Sequence, residues 1–71
     1  MKNVQALKKE YNHNLNRYYN GCNYLSEHPE DFDKYISELI QIKDNVENLL
    51  NQIIDNKVKV TTKEILEGFS L

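Results

Sequence analysis

The stretch Tyr18–Ile42, YYNGCNYLSEHPEDFDKYISELIQI, decides the fold. At its middle Ser26-Glu27-His28-Pro29 reads as a turn, and apolar residues leave that turn at matched distances on either side. Leu25 stands opposite Phe32, Cys22 opposite Tyr35, Tyr18 opposite Leu39 and Leu15 opposite Ile42. Further out, Tyr11 matches Val46, Leu7 matches Leu50 and Val4 matches Ile53. The numbers in every pair sum to 57, so one straight seam joins two segments that meet head to tail. Along each segment the apolar positions step by three and four, the period of one face of an α-helix. An all-α protein built on a long antiparallel hairpin follows.

The first helix is expected over about 3–26, with Asn3 as its N-cap. Asn20-Gly21 is a turn signal within it, yet the seam stays in phase through Cys22 and Leu25. The helix therefore continues, and Gly21 lies beside the seam, where a small residue lets helices approach closely. Pro29 suits the first position of the second helix, expected over about 30–56, and Glu30, Asp31 and Asp33 complement its dipole. Val58-Lys59-Val60 reads as an extended connector. Thr61-Thr62-Lys63-Glu64 then forms a capping box, stapled by Val60 and Ile65, that opens a short helix over about 62–67. Gly68 stops it, and Phe69 and Leu71 are apolar anchors for docking back on the hairpin. All 71 residues form one domain, with no internal repeat and no low-complexity linker.

A domain this small builds only a marginal core. The seam alone is too little, so the C-terminal segment or a second copy of the chain must bury more. Charge is unevenly spread within the net −2. Residues 1–26 carry Lys2, Lys8, Lys9 and Arg17 against Glu10, whereas residues 27–56 carry eight acids against Lys34 and Lys43. The basic first helix and the acidic second thus complement one another across the hairpin. The single cysteine, Cys22, excludes an internal disulfide and any cysteine-based zinc cluster. No apolar run approaches membrane-spanning length and no signal-peptide core is visible, so a cytosolic setting is expected. Abundant Asn, Lys, Ile and Tyr, all encoded by AT-rich codons, hint at a low-G+C bacterium or one of its phages.

Three surfaces are candidates for function. The second helix carries more apolar residues than one seam needs: Ile36, Ile40 and Ile54 are surplus, and Leu50 is shared. The third helix is placed to cover Ile54 and Leu50 but is too short to reach Ile36 and Ile40. A second hairpin completing a four-helix bundle, or another protein, would bury the rest. The outer face of the first helix carries Lys2, Lys9, His13, Arg17, Asn20 and Tyr24 with no acid among them. Such a row could hold phosphates and stack on bases of RNA, or be no more than a solvated face. Tyr24 points about 180° from Leu15, away from the seam. The third candidate is an acidic rim of Glu27, Glu30, Asp31, Asp33 and Glu38, which suits a basic partner but also serves as helix-dipole complement.

Chemistry has little foothold. There is no glycine-rich phosphate loop, no metal-binding helix motif and no nucleophile beside a base, and His13 and His28 stand alone. Two long helices also offer no obvious concave pocket. No cofactor or metal is expected. In shape and outer row the chain is similar in kind to the plasmid copy-number regulator Rop, a dimeric hairpin that binds paired RNA loops through its first helices, though no motif matches residue by residue. Aspartyl-phosphate phosphatases of the sporulation phosphorelay carry Ser-x-Glu-Leu-Asp on the second helix. Here Ser37-Glu38-Leu39-Ile40 has a different spacing and lacks the acid, which removes the residues that activity would need.

The reading is a small regulator, adaptor or inhibitor, expected to form a homodimer, that binds a protein through Ile36, Ile40, Leu50 and Ile54 with the acidic rim. The alternative is a dimeric RNA-binding regulator using Lys9, His13, Arg17, Asn20 and Tyr24.

Overall fold

A computed structural model describes residues 3–71. Helix α1 spans Val4–Glu27, a single 3-10 turn covers Pro29–Asp31, α2 spans Phe32–Asp55 and α3 spans Thr62–Glu67. No strand occurs among the described residues. The molecule measures 42 × 22 × 16 Å, the proportions of a hairpin lying beside a short return segment.

The sequence signals act where they were read. Asn3 caps α1, its Oδ1 accepting from the Ala6 N–H at 2.7 Å. Pro29 opens the turn, as a residue without an N–H to lose can do, but the turn is 3-10 and α2 begins at Phe32 rather than at 30. The capping box at α3 is complete: the Thr61 hydroxyl accepts from the Glu64 N–H at 3.1 Å, and Glu64 Oε1 accepts from the Thr61 N–H at 2.9 Å. Gly21 lies where α1 and α2 come close, since a Cβ there would stand 2.7 Å from Leu39 Cδ1.

The core is concentrated in the half of the hairpin away from the turn. Leu7, Tyr11 and Leu15 of α1, Leu49 and Ile53 of α2, and Phe69 form one buried cluster. Val46, Leu50, Val58 and Val60 pack against it half-buried. Leu49, absent from the straight seam, is thus a core residue and Leu50 only a flanking one. The cause is the third layer: Val58, Val60 and Phe69 lie against this side of the hairpin and bury Leu49 with it. Near the turn no such layer exists. There Tyr18, Cys22 and Tyr35 are half-buried, and Phe32, paired with Leu25 in the straight seam, is 49 % exposed.

The return segment docks on α1, and does not cover Ile54 as its starting point suggested. The Asn12 side chain reads the backbone of Phe69 like a neighbouring strand: Nδ2 donates to the Phe69 carbonyl at 2.8 Å and Oδ1 accepts its N–H at 2.7 Å. Tyr11 donates its hydroxyl to the Ile65 carbonyl at 2.6 Å, and Tyr19 donates to the Leu66 carbonyl at 2.5 Å. Three side chains of α1 therefore answer backbone groups at and beyond the end of α3, including carbonyls its last turn leaves open. The Tyr11 ring meets Phe69 edge to face at 5.3 Å, and Lys8 Nζ stands 5.3 Å from the same ring on its own approach.

Gly68 makes this docking possible. Its backbone (φ 94°, ψ 171°) lies in a region open essentially to glycine alone, and a Cβ there would fall 2.7 Å from Asn12 Oδ1. Gly68→Ala is expected to lower stability by about 1–3 kcal/mol, from backbone strain alone. Urea unfolding of the two proteins checks this, and an unchanged midpoint would show that the return segment contributes nothing.

Candidate interaction surfaces

Helix α2 faces two ways. Its inner face meets α1 and the return segment through Leu39, Ile42, Leu49 and Ile53. At about 100° per residue Leu49 lies about 140° round the helix from Ile54 and about 180° from Ile40. The return segment packs on the Leu49 side, so the opposite flank stays open. Ile40 is 52 % exposed and Ile54 47 %, with Ile36 and Leu50 half-buried in line with them. Between the two apolar halves Lys43 and Glu47 pair at 3.1 Å, one helical turn apart. That contact raises the Lys43 pKa, first through its hydrogen bond to Glu47 and then through the charge.

The outer row of α1 is only partly assembled as read. Lys9, His13, Arg17 and Asn20 are exposed, and Lys2 lies outside the described residues. Tyr24 is committed elsewhere. Its hydroxyl donates to Asp31 Oδ2 at 2.6 Å, and its ring lies 4.5 Å from the His28 ring and 5.8 Å, edge to face, from Tyr35. Although nearly opposite Leu15 on the wheel, it belongs to the turn. The helices approach through Gly21 and Leu39 at this end, which brings the Tyr24 flank of α1 towards α2.

The acidic residues have different partners. Asp31 receives Tyr24, and Glu30 lies 3.4 Å from His28 Nδ1, an ion pair only when that imidazole is protonated. Glu27, Asp33 and Glu38 are exposed, Glu38 on the border of a cleft.

The cleft itself was not expected of two long helices. It has a volume of about 450 Å³, is open to solvent, and lies between α1 and α2 on the turn side of the core. Leu25, Leu39 and Ile42 supply its apolar lining, with Arg17, Asn20, Gly21, Tyr24, Tyr35 and Glu38 around them. It forms because the return segment covers only the other half of the hairpin. Gly21 borders the cleft, but with Leu39 Cδ1 2.7 Å from where its Cβ would stand the missing side chain permits contact there rather than opening space.

Among the described residues no three or more His, Cys, Asp or Glu side chains gather in a group able to hold a metal ion, and no helix is long and apolar enough to cross a membrane. Compared with known proteins, the chain matches no family model, no curated protein and no solved structure. Its functional reading therefore rests on these surfaces.

Tyr24 gives a pH-dependent mark of the turn. Its phenol is pushed from 10.0 up to about 12, first by the hydrogen bond to Asp31, then by desolvation and nearby negative charge. The raised value means that the folded turn favours the neutral phenol. Its contribution is full below pH 10.0 and is lost as pH rises through about 12. In an alkaline titration followed by tyrosinate absorbance, Asp31→Asn is expected to return one late-titrating phenol towards its ordinary value. An unaltered titration curve would show that the Tyr24–Asp31 contact is absent in solution.

Proposed function

We propose that this chain is a small protein-interaction module that works by holding another polypeptide against the outward face of α2. The observation that carries the reading is the open flank itself: Ile40 and Ile54 stand about half exposed, in line with Ile36 and Leu50, while the return segment occupies the other side. Apolar rows of this kind on small domains mark contact sites more often than idle surface. The exposed acids near the turn, Glu27, Glu30 and Asp33, add negative charge at that end of the molecule and suit a basic partner. A regulator, adaptor or inhibitor acting without chemistry fits this surface. The single half-buried thiol, Cys22, suits a reducing compartment such as the cytoplasm.

A second reading stands on Lys9, His13, Arg17 and Asn20, which remain exposed along α1 and could follow a nucleic-acid backbone. Tyr24, 41 % exposed, has its hydroxyl engaged with Asp31 and its ring against His28. RNA binding that falls steeply with salt and is lost on Arg17→Ala would favour it over the α2 surface.

Ile40→Glu tests the main reading. The site is half exposed, so the chain should still fold and far-ultraviolet circular dichroism should be unchanged. Association, measured as solution mass for the chain itself and as affinity capture for other proteins, should be lost. Equal association by wild type and Ile40→Glu in both measurements would sink the reading.

A further inference from the structure

The open face of α2 is complementary to itself, and we propose that its occupant is a second copy of this chain, packed antiparallel about a two-fold axis level with Asn45. The inference rests on the reading of that face as an interface and adds its partner and register. Positions 33, 36, 40, 43, 47, 50, 54 and 57 step alternately by three and four, the spacing of a coiled-coil seam. Two such seams laid antiparallel meet in layers whose residue numbers have a constant sum. For a sum of 90, Ile36 of one protomer meets Ile54 of its partner and Ile40 meets Leu50. In the same register Lys43 meets Glu47, and Asp33 meets Lys57 just past the helix end. Every layer joins apolar to apolar or acid to base. The symmetry repeats each contact on the other side of the axis, as an isologous interface requires.

Other arrangements of the same row fail. A parallel, in-register pair sets Lys43 on Lys43, Glu47 on Glu47 and Asp33 on Asp33. Sliding the antiparallel pair by one heptad, to a sum of 83, sets Ile36 against Glu47 and Ile40 against Lys43. Sliding it the other way, to 97, sets Lys43 against Ile54 and Glu47 against Leu50. One register satisfies all layers.

The geometry is available as it stands. The row from Ile36 to Ile54 is about 27 Å of helix at 1.5 Å per residue. Lys43 and Glu47 already lie together at 3.1 Å with their side chains 55 % and 57 % exposed, so a partner's pair can join them in a four-charge ring without uncovering buried groups. Polar layers within an apolar seam are a known means of fixing register and orientation. The partner helix would approach about 100° round α2 from the side facing α1, giving a four-helix arrangement with the two α2 helices at its centre.

Charge exchange tests orientation and register together. Light scattering behind size exclusion, over a wide range of concentration, would compare the full wild-type chain, Lys43→Glu, Glu47→Lys and an equimolar mixture of the two variants. Circular dichroism would verify that each variant is helical. Wild type should reach twice its 8.4 kDa chain mass. Each exchange alone sets like charges across the axis and should weaken the dimer at least tenfold. The mixture should restore it, because both layers formed by positions 43 and 47 then join opposite charges across the axis. A wild-type dimer indifferent to both exchanges would overturn the register. A wild type that stays monomeric throughout would overturn self-pairing, while Ile40-dependent capture of another protein would leave the interface reading intact.

Discussion

The Asn12 side chain decides which half of this molecule is core and which is surface. A single amide on α1 satisfies both the N–H and the carbonyl of Phe69, so a short return segment with a six-residue helix acquires a fixed place. Buried polar backbone needs such partners, and here side chains supply what a neighbouring strand would. Once Phe69 is held, its ring closes over Leu7, Tyr11, Leu15, Leu49 and Ile53, and Val58 and Val60 complete the layer. Gly68, at φ 94°, takes a conformation that other residues rarely adopt, and a Cβ there would collide with that amide.

The rest of the surface follows from where that segment lies. Because it takes the Leu49 flank of α2, the flank with Ile36, Ile40 and Ile54 is left to the solvent or to another chain. Because it stops short of the turn, the hairpin is open there into a cleft bordered by Arg17, Tyr24 and Glu38. Both the proposed interface and the cleft are thus places the third layer does not reach. A hairpin of two helices has more apolar surface than one short segment can cover, and the palindromic order of charges on α2 offers a way for a second copy to cover the remainder.

Much of the architecture was legible in the residues. Helical periodicity, Asn3, Pro29 and the Thr61–Glu64 box are local signals, and each acts locally in the structure. The exposed stripe was legible too, since it is an arc on a helical wheel. What could not be read was long-range. Nothing local says that Asn12 bonds Phe69, fifty-seven residues away, so the docking side of α3 was out of reach, and the choice between Leu49 and Leu50 as the buried position stayed open. Tyr24 is exposed, as an outward residue should be, but its bond to Asp31 and its ring contacts with His28 and Tyr35 were not legible. A wheel treats α1 as straight and its contact face as constant, whereas the close approach at Gly21 brings another flank towards α2 near the turn.

The most direct measurement is amide hydrogen exchange at Phe69, in wild type and in Asn12→Ala, under conditions where exchange reports local opening. The account predicts a Phe69 amide protected in wild type and exchanging freely in Asn12→Ala, while amides in the middle of α1 and α2 stay protected in both. A Phe69 amide that exchanges in wild type as fast as an unstructured chain would contradict it. The return segment would then be undocked, and the assignment of the faces of α2 would fall with it.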